Sequence, residues 1–214
     1  MSLLSCTSLV SALILVSPEA PDTQCSLEGS LLLKSAQGEE EVPAFAEVYI
    51  ANASVVGTDA PSRHTVIQID TQFKPRALVV QGGDTVDFRN EDNQPHEVHA
   101  IRDVNLFDVK KENSKDLTYS KLFLKTGIST IGCRIHSNMG AIILTVPNSF
   151  HAHVDPNGKW KISGLPKREL EVVFWEAGGK TVTQKLTPCV SGPTHVSLGG
   201  KTQRTPSKYG LTFQ

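Results

Sequence analysis

No stretch of this chain carries a capped helical period. Its apolar residues fall instead into short runs of alternating or β-rich character, each bounded by turn formers. That pattern confines the chain to all-β architectures. Sixteen Gly and twelve Pro among 214 residues point the same way, because both punctuate strands and neither suits a helix interior. Strands are predicted over 27–34, 46–51, 66–70, 77–80, 85–90, 97–102, 117–124, 127–133, 141–146, 152–154, 160–162, 170–176 and 181–186. Turns at 81–84 (Gln-Gly-Gly-Asp), 155–158 (Asp-Pro-Asn-Gly) and 177–180 (Ala-Gly-Gly-Lys) supply residues that tolerate φ > 0 or preset a turn. The class expected is a β-sandwich. Segment 103–116 reads as a solvated loop with room for a helical turn, and 201–214 as a polar, basic tail.

Twenty-one basic residues against 22 acidic ones leave a net charge of -1, which provides no field for gathering nucleic acid or an anionic membrane. The apolar stretch Leu9 to Val16, ending in Ser17, Pro18, Glu19 and Ala20, is too short for the roughly 20 residues of a membrane span. It has the form of the apolar core of a secretory signal, although the first basic residue is Lys34. Residues 1–24 are accordingly expected to be a signal peptide, and the mature protein periplasmic or secreted.

The chemistry-bearing segment is Cys133-Arg134-Ile135-His136-Ser137-Asn138-Met139. It places a thiolate, an imidazole and a thioether at i, i+3 and i+6 between two predicted strands, a loop able to wrap three ligands around one ion. Thirty-seven residues upstream, Pro95-His96-Glu97-Val98-His99 opens a strand and can supply a fourth. Two imidazoles, a thiolate and a weak axial thioether form the blue-copper set: sulfur suits Cu(I), and imidazole suits both oxidation states. Met139 is the sole Met apart from Met1. A structural zinc site could use Cys133 and His136, but zinc has no preference for a thioether, and no second Cys-x-x-Cys or Cys-x-x-His knuckle is present. A buried thiol beside a surface imidazole, with no metal, is the other alternative. His99, three positions after His96, is expected on the opposite strand face, as a surface or outer-sphere residue.

These motifs resemble the cupredoxins, with a Cys-x-x-His-x-x-Met loop spaced as in amicyanin, and the chain looks like the plastocyanin-like proteins of the methylamine-utilisation type. Further matches are Phe73-Lys74-Pro75, the run from Val79 to Asn90, and Phe107-Asp108; residues 65–147 are covered. The resemblance implies a Greek-key cupredoxin sandwich over 59–147, one type 1 copper held by His96, Cys133, His136 and Met139, and His136 at the edge where electrons leave. Two positions depart from the family pattern. Glu97 stands where many members carry an Asn that ties the two ligand loops together, and Ile131 and Gly132 occupy the neighbourhood where an aromatic is common.

Segments 26–58 and 148–188 resemble a carboxypeptidase-regulatory-like (transthyretin-like) sandwich. The resemblance rests on Leu27-Glu28-Gly29-Ser30-Leu31-Leu32-Leu33, the Asp155 to Ile162 turn and strand, and the Gly164-Leu165-Pro166 link. It implies that the cupredoxin is inserted into, or packed on, this small host, with 189–214 as a C-terminal tail. Cys25 and Cys189 then stand at the two ends of the host and are expected to form a disulfide, with two unrelated thiols as the alternative. His151 and His153, two apart, share a strand face, as a weak accessory metal site requires; plain exposure is the commoner role. Trp160, Phe174 and Trp175 are expected in the core, with a sugar-stacking platform as the alternative.

The function expected is that of an exported electron carrier shuttling single electrons between redox proteins. It is not expected to be an enzyme: no second His cluster, Ser-His-Asp set or paired carboxylates stand out. The rivals are a non-redox copper storage protein of the cell envelope, and a carbohydrate-binding or adhesion module with an incidental metal site.

Overall fold

In the chain's structure, a computed structural model, residues 25–52, 54, 59–100, 104–109 and 118–199 are described. The expected leader at 1–24 and the tail at 201–214 lie outside them, as do 103 and 110–116 of the expected loop.

All regular structure among the described residues is strand: β1 (Cys25–Lys34), β2 (Glu40–Glu41), β3 (Ala46–Ile50), β4 (Arg63–Ile69), β5 (Gln72–Lys74), β6 (Ala77–Gln81), β7 (Thr85–Asn90), β8 (Val98–Ala100), β9 (Phe107–Asp108), β10 (Thr118–Leu122), β11 (Gly127–Cys133), β12 (Gly140–Val146), β13 (His151–His153), β14 (Lys159–Leu165), β15 (Leu170–Glu176), β16 (Thr181–Leu186) and β17 (Thr194–Leu198). No helix among them is long and apolar enough to cross a membrane. The strands make four sheets. Two draw on the chain's ends: β14-β1-β17, with β2 also on β1, and β13-β3-β15-β16. The other two, β10-β7-β4-β5 and β6-β12-β11-β8-β9, use only the middle of the chain.

Each pair of sheets closes over its own core. Leu27, Leu31, Val48, Trp160, Ile162, Phe174 and their neighbours fill the first. Val66, Phe73, Phe88, Phe123, Ile131, Cys133 and Met139 help to fill the second. A third cluster forms a seam between the two sandwiches. β15 turns Leu170, Val172 and Phe174 into the first core and Val173 and Trp175 into the seam, while β12 turns Ala141 and Ile143 into the second core and Leu144 and Val146 into the seam. Both strands are therefore buried on two faces, which is why they read as continuous apolar runs and not as alternation.

Cys25 and Cys189 form a disulfide across 164 positions, as the resemblance implied. Trp160, Phe174 and Trp175 are buried, so they present no open ring face for stacking a sugar.

The sequence reading missed four strands. β2, β5 and β9 are two or three residues long, below the length at which period 2 can be recognised. β17 is the larger correction, because it lies inside the segment expected to be tail. It pairs parallel with β1, opposing Thr194 to Gly29 and Leu198 to Leu33, and buries Val196 and Leu198. Gly29 makes the approach possible: a Cβ there would stand 1.7 Å from the Thr194 carbonyl oxygen. A five-residue run between Gly192-Pro193 and Gly199, with a partner at the other end of the chain, gives little local signal.

Candidate metal centre

Cys133 is the last residue of β11, where pairing with Val98 of β8 fixes its backbone. The chain then turns tightly before β12. Met139 N–H donates to the His136 carbonyl (3.1 Å) and Cys133 N–H to the Met139 carbonyl (3.2 Å), so the loop carrying three of the candidate ligands closes on itself. His96 arrives from the other side, two residues before β8.

Three of the four expected ligands meet. His96 Nδ1 is 3.8 Å from Cys133 Sγ, His136 Nδ1 is 3.6 Å from the same sulfur, and the two Nδ1 atoms are 3.2 Å apart. No other cluster of His, Cys, Asp and Glu among the described residues brings three such ligand atoms within 4.8 Å of one another. Donors about 2.0–2.3 Å from a common ion are spaced in this way. His96 and Cys133 are buried, and His136 is half-exposed. Met139 is fully buried in the same core as Cys133, so its side chain lies on the protein side of the loop, away from solvent.

The surroundings prepare these atoms for a metal. Asp92 Oδ2 lies 2.8 Å from His96 Nε2, which keeps a ring proton on Nε2 and turns Nδ1 towards the Cys133 sulfur. Asp92 is itself held, accepting the Asp70 N–H (2.8 Å) and the Thr71 N–H (3.0 Å), while its own N–H donates to Asn90 Oδ1 (2.9 Å). Burial alone would raise the Asp92 pKa, but these hydrogen bonds and His96 lower it. Burial would likewise lower the pKa of His96, yet hydrogen bonds to Cys133 and Asp92 raise it. For Cys133, burial pushes the thiol up, and it is overcome by the His96 hydrogen bond and the backbone amides of Glu97, His136 and Ile135, which bring the thiol down to about 6. At neutral pH the sulfur is thus mainly thiolate, the form that binds metal.

The tie between the ligand loops, which the departure at Glu97 put in question, is made by backbone. Arg134 N–H donates to the Glu97 carbonyl at 3.1 Å, and the Glu97 amide supports the Cys133 sulfur. Arg134 also forms a two-pronged pair with Asp108 of β9 (3.1 and 2.8 Å). Asp92 and Asp108 were not singled out in the sequence; an Asp four residues before a His in a polar turn is too common to serve as a signal.

His99 is a correction to the surface placement. It is 2% exposed in β8, a strand buried along its whole length. His151 and His153 do share a face of β13, and both engage Glu47.

No protein-family model matches the chain, and no curated protein matches it. Among solved structures it is similar to a purple cupredoxin from Nitrosopumilus maritimus, at 19% identity over 38% of this chain and 98% of that one, with a TM-score of 0.35. It is also similar to a reduced amicyanin variant, at 23% identity over 46% of this chain and 98% of that one, with a TM-score of 0.35. A third likeness is to a Cu-containing nitrite reductase from Thermus scotoductus, at 25% identity over 45% of this chain and 26% of that one, with a TM-score of 0.37.

Proposed function

We propose that the chain is an exported type 1 copper protein that carries single electrons between redox proteins and is not an enzyme. The observation that carries this reading is the convergence of His96 Nδ1, His136 Nδ1 and Cys133 Sγ within 4.8 Å. Met139, buried in the same loop, would supply a fourth, thioether ligand. Zinc tolerates two imidazoles and a thiolate, but a loop that also brings a thioether suits copper in both oxidation states.

When bound, copper supplies a one-electron couple between Cu(I) and Cu(II). The chain's own residues do the rest. Asp92 and the closed 133–139 turn hold the ligand atoms in place, so little rearrangement is needed when the charge changes. Half-exposed His136, with exposed Arg134 and Ile135 before it, is the proposed point of electron exchange. No substrate pocket is required.

In this reading the middle sandwich is a cupredoxin-like module inserted into a small host sandwich closed by Cys25–Cys189. That disulfide supports a periplasmic or secreted setting, because such bonds persist in oxidising compartments.

The test is addition of Cu(II) to the purified protein, with Cys133→Ala beside it. Intense visible thiolate-to-copper absorption that bleaches on reduction and returns on oxidation, and is absent in Cys133→Ala, is the expected result. A metal that binds but does not cycle would indicate storage, and a colourless wild type would end the copper reading.

A further inference from the structure

The hairpin between β4 and β5 turns on two residues, Asp70 and Thr71, with Ile69 paired to Gln72. Both stand in the left-handed region, at φ 54° and 56°. Two-residue hairpins of this hand favour Asn-Gly, because a β-branched side chain such as that of Thr crowds its own backbone there. A conformation this unfavourable persists only where the surroundings fix it. Asp92 fixes it: Oδ1 accepts the Asp70 N–H at 2.8 Å, and Oδ2 accepts the Thr71 N–H at 3.0 Å.

The same Oδ2 lies 2.8 Å from Nε2 of His96. Three N–H donors thus converge on one carboxylate, an arrangement that suits the ionised form, an acceptor at both oxygens. The Asp92 side chain is 12% exposed and that of His96 is 0% exposed, so solvent screens the pair poorly. Exposed charges nearby are paired off, Lys74 with Asp70 at 3.3 Å and Arg134 with Asp108 at 2.8 Å. Buried Asn90 secures the turn that carries Asp92: its Oδ1 accepts the Asp92 N–H at 2.9 Å, and its Nδ2 donates to the Gln94 carbonyl at 3.0 Å. The carboxylate is therefore a fixed negative charge placed directly behind a candidate metal ligand.

We propose that Asp92, positioned by the Asp70-Thr71 turn, sets the oxidation-state preference of the metal centre, favouring Cu(II) over Cu(I) and so lowering the reduction potential. The inference rests on the copper reading above and adds to it the residue that biases the couple. The couple is one electron, which a redox protein gives to Cu(II) to leave Cu(I). Charge gives the sign of the effect. With the Cys133 thiolate and two neutral imidazoles, Cu(I) makes the ligand set neutral and Cu(II) makes it positive by one unit. A fixed anion stabilises the positive form and does nothing comparable for the neutral one. The Met139 thioether pulls the other way, since sulfur of that kind suits Cu(I). Orientation and charge are separable: losing the orienting role of Asp92 weakens both oxidation states alike, whereas losing its charge weakens Cu(II) more.

The experiment measures Cu(I) and Cu(II) affinities by chelator competition, and the reduction potential by redox titration of the visible band, in full-length wild type, Asp92→Asn and Asp84→Asn. Asp84 is a matched control: just before the other end of β7, it too accepts two backbone N–H groups and lies beside a His ring. In Asp92→Asn the Cu(II) affinity is expected to fall about 10-fold further than the Cu(I) affinity, which for a one-electron couple raises the potential by about 59 mV. Asp84→Asn should keep the wild-type potential. Equal losses of Cu(I) and Cu(II) affinity in Asp92→Asn, or a rise of the same size in Asp84→Asn, would overturn the proposal. If circular dichroism shows Asp92→Asn unfolded, Asp92→Ser decides on the same two readings. A wild type that forms no coloured Cu(II) complex overturns the copper reading and this inference with it, whereas coloured protein whose potential does not move in the Asp92 variant overturns this inference alone.

Discussion

Asp92 and His96 are joined at 2.8 Å through Oδ2 and Nε2, so a turn residue four positions upstream determines which nitrogen of the buried ring faces Cys133. Removing that partner frees the ring to rotate or change tautomer. Asp92→Ala is therefore expected to weaken metal binding by about 10–100-fold while leaving the sandwich folded. Competition titration with a copper chelator measures it. Asp92→Asn, which can still accept from Nε2–H, should recover part of the loss.

Cys133 titrates near 6 rather than 9.0, with burial opposing the shift and the hydrogen bond from His96 and the nearby amides producing it. A thiol whose folded pKa is depressed adds stability that is fully present above its ordinary value and is lost as the pH falls through the folded one. Metal-free protein should accordingly gain stability between about pH 6 and 9, and metal affinity should drop steeply below about pH 6 as protons compete for the sulfur. The ultraviolet absorbance of the thiolate follows the titration directly. In His96→Ala the midpoint moves up towards the ordinary thiol range.

Asp84 fastens the turn between β6 and β7 to the strand before it. Its Oδ1 accepts the Ser62 N–H at 2.6 Å, and Oδ2 lies 2.8 Å from both the Gln81 N–H and His64 Nε2. Burial raises its pKa, but these bonds outweigh it and the net shift is downward. The stability it contributes is present above the ordinary carboxylate value and disappears as the pH falls through the lower folded value. Asp84→Asn is expected to cost about 1–3 kcal/mol at neutral pH and to flatten the acid limb of the stability curve. Urea titrations at several acidic pH values, set against neutral pH, measure both effects.

Reduction of Cys25–Cys189, or replacement of both by Ser, releases a crosslink that closes 164 positions. A loss of about 2–5 kcal/mol in unfolding free energy is expected. The metal centre's spectrum should be unchanged below the melting transition, since its ligands come from other strands. A spectrum altered by reduction before any unfolding would show that the two are coupled.

How much of this was legible in the sequence follows from range. The all-β class, most strand positions and the Cys133–Met139 loop could be read directly, because period-2 alternation, turn chemistry and ligand spacing are properties of neighbours. β12 and β15 were found as apolar runs, but the reason for their apolarity, a second buried face, appears only when the two sandwiches meet at Leu144, Val146, Val173 and Trp175. β17 escaped notice because its partner is β1, at the opposite end of the chain, and Gly29 admits it by lacking a side chain.

The same division runs through the sites. The amino-acid order alone determined which donor types were available and that three of them lay within one short turn. Only the tertiary structure decided that Asp92 would orient His96, that backbone from Glu97 would support the thiolate, and that Glu47, more than a hundred positions away in the chain, would come to lie between His151 and His153. The physical reason is that a side chain's charge state and direction depend on what packs against it. In a sandwich of paired strands those neighbours are supplied by register across the sheet, which no local stretch of sequence contains.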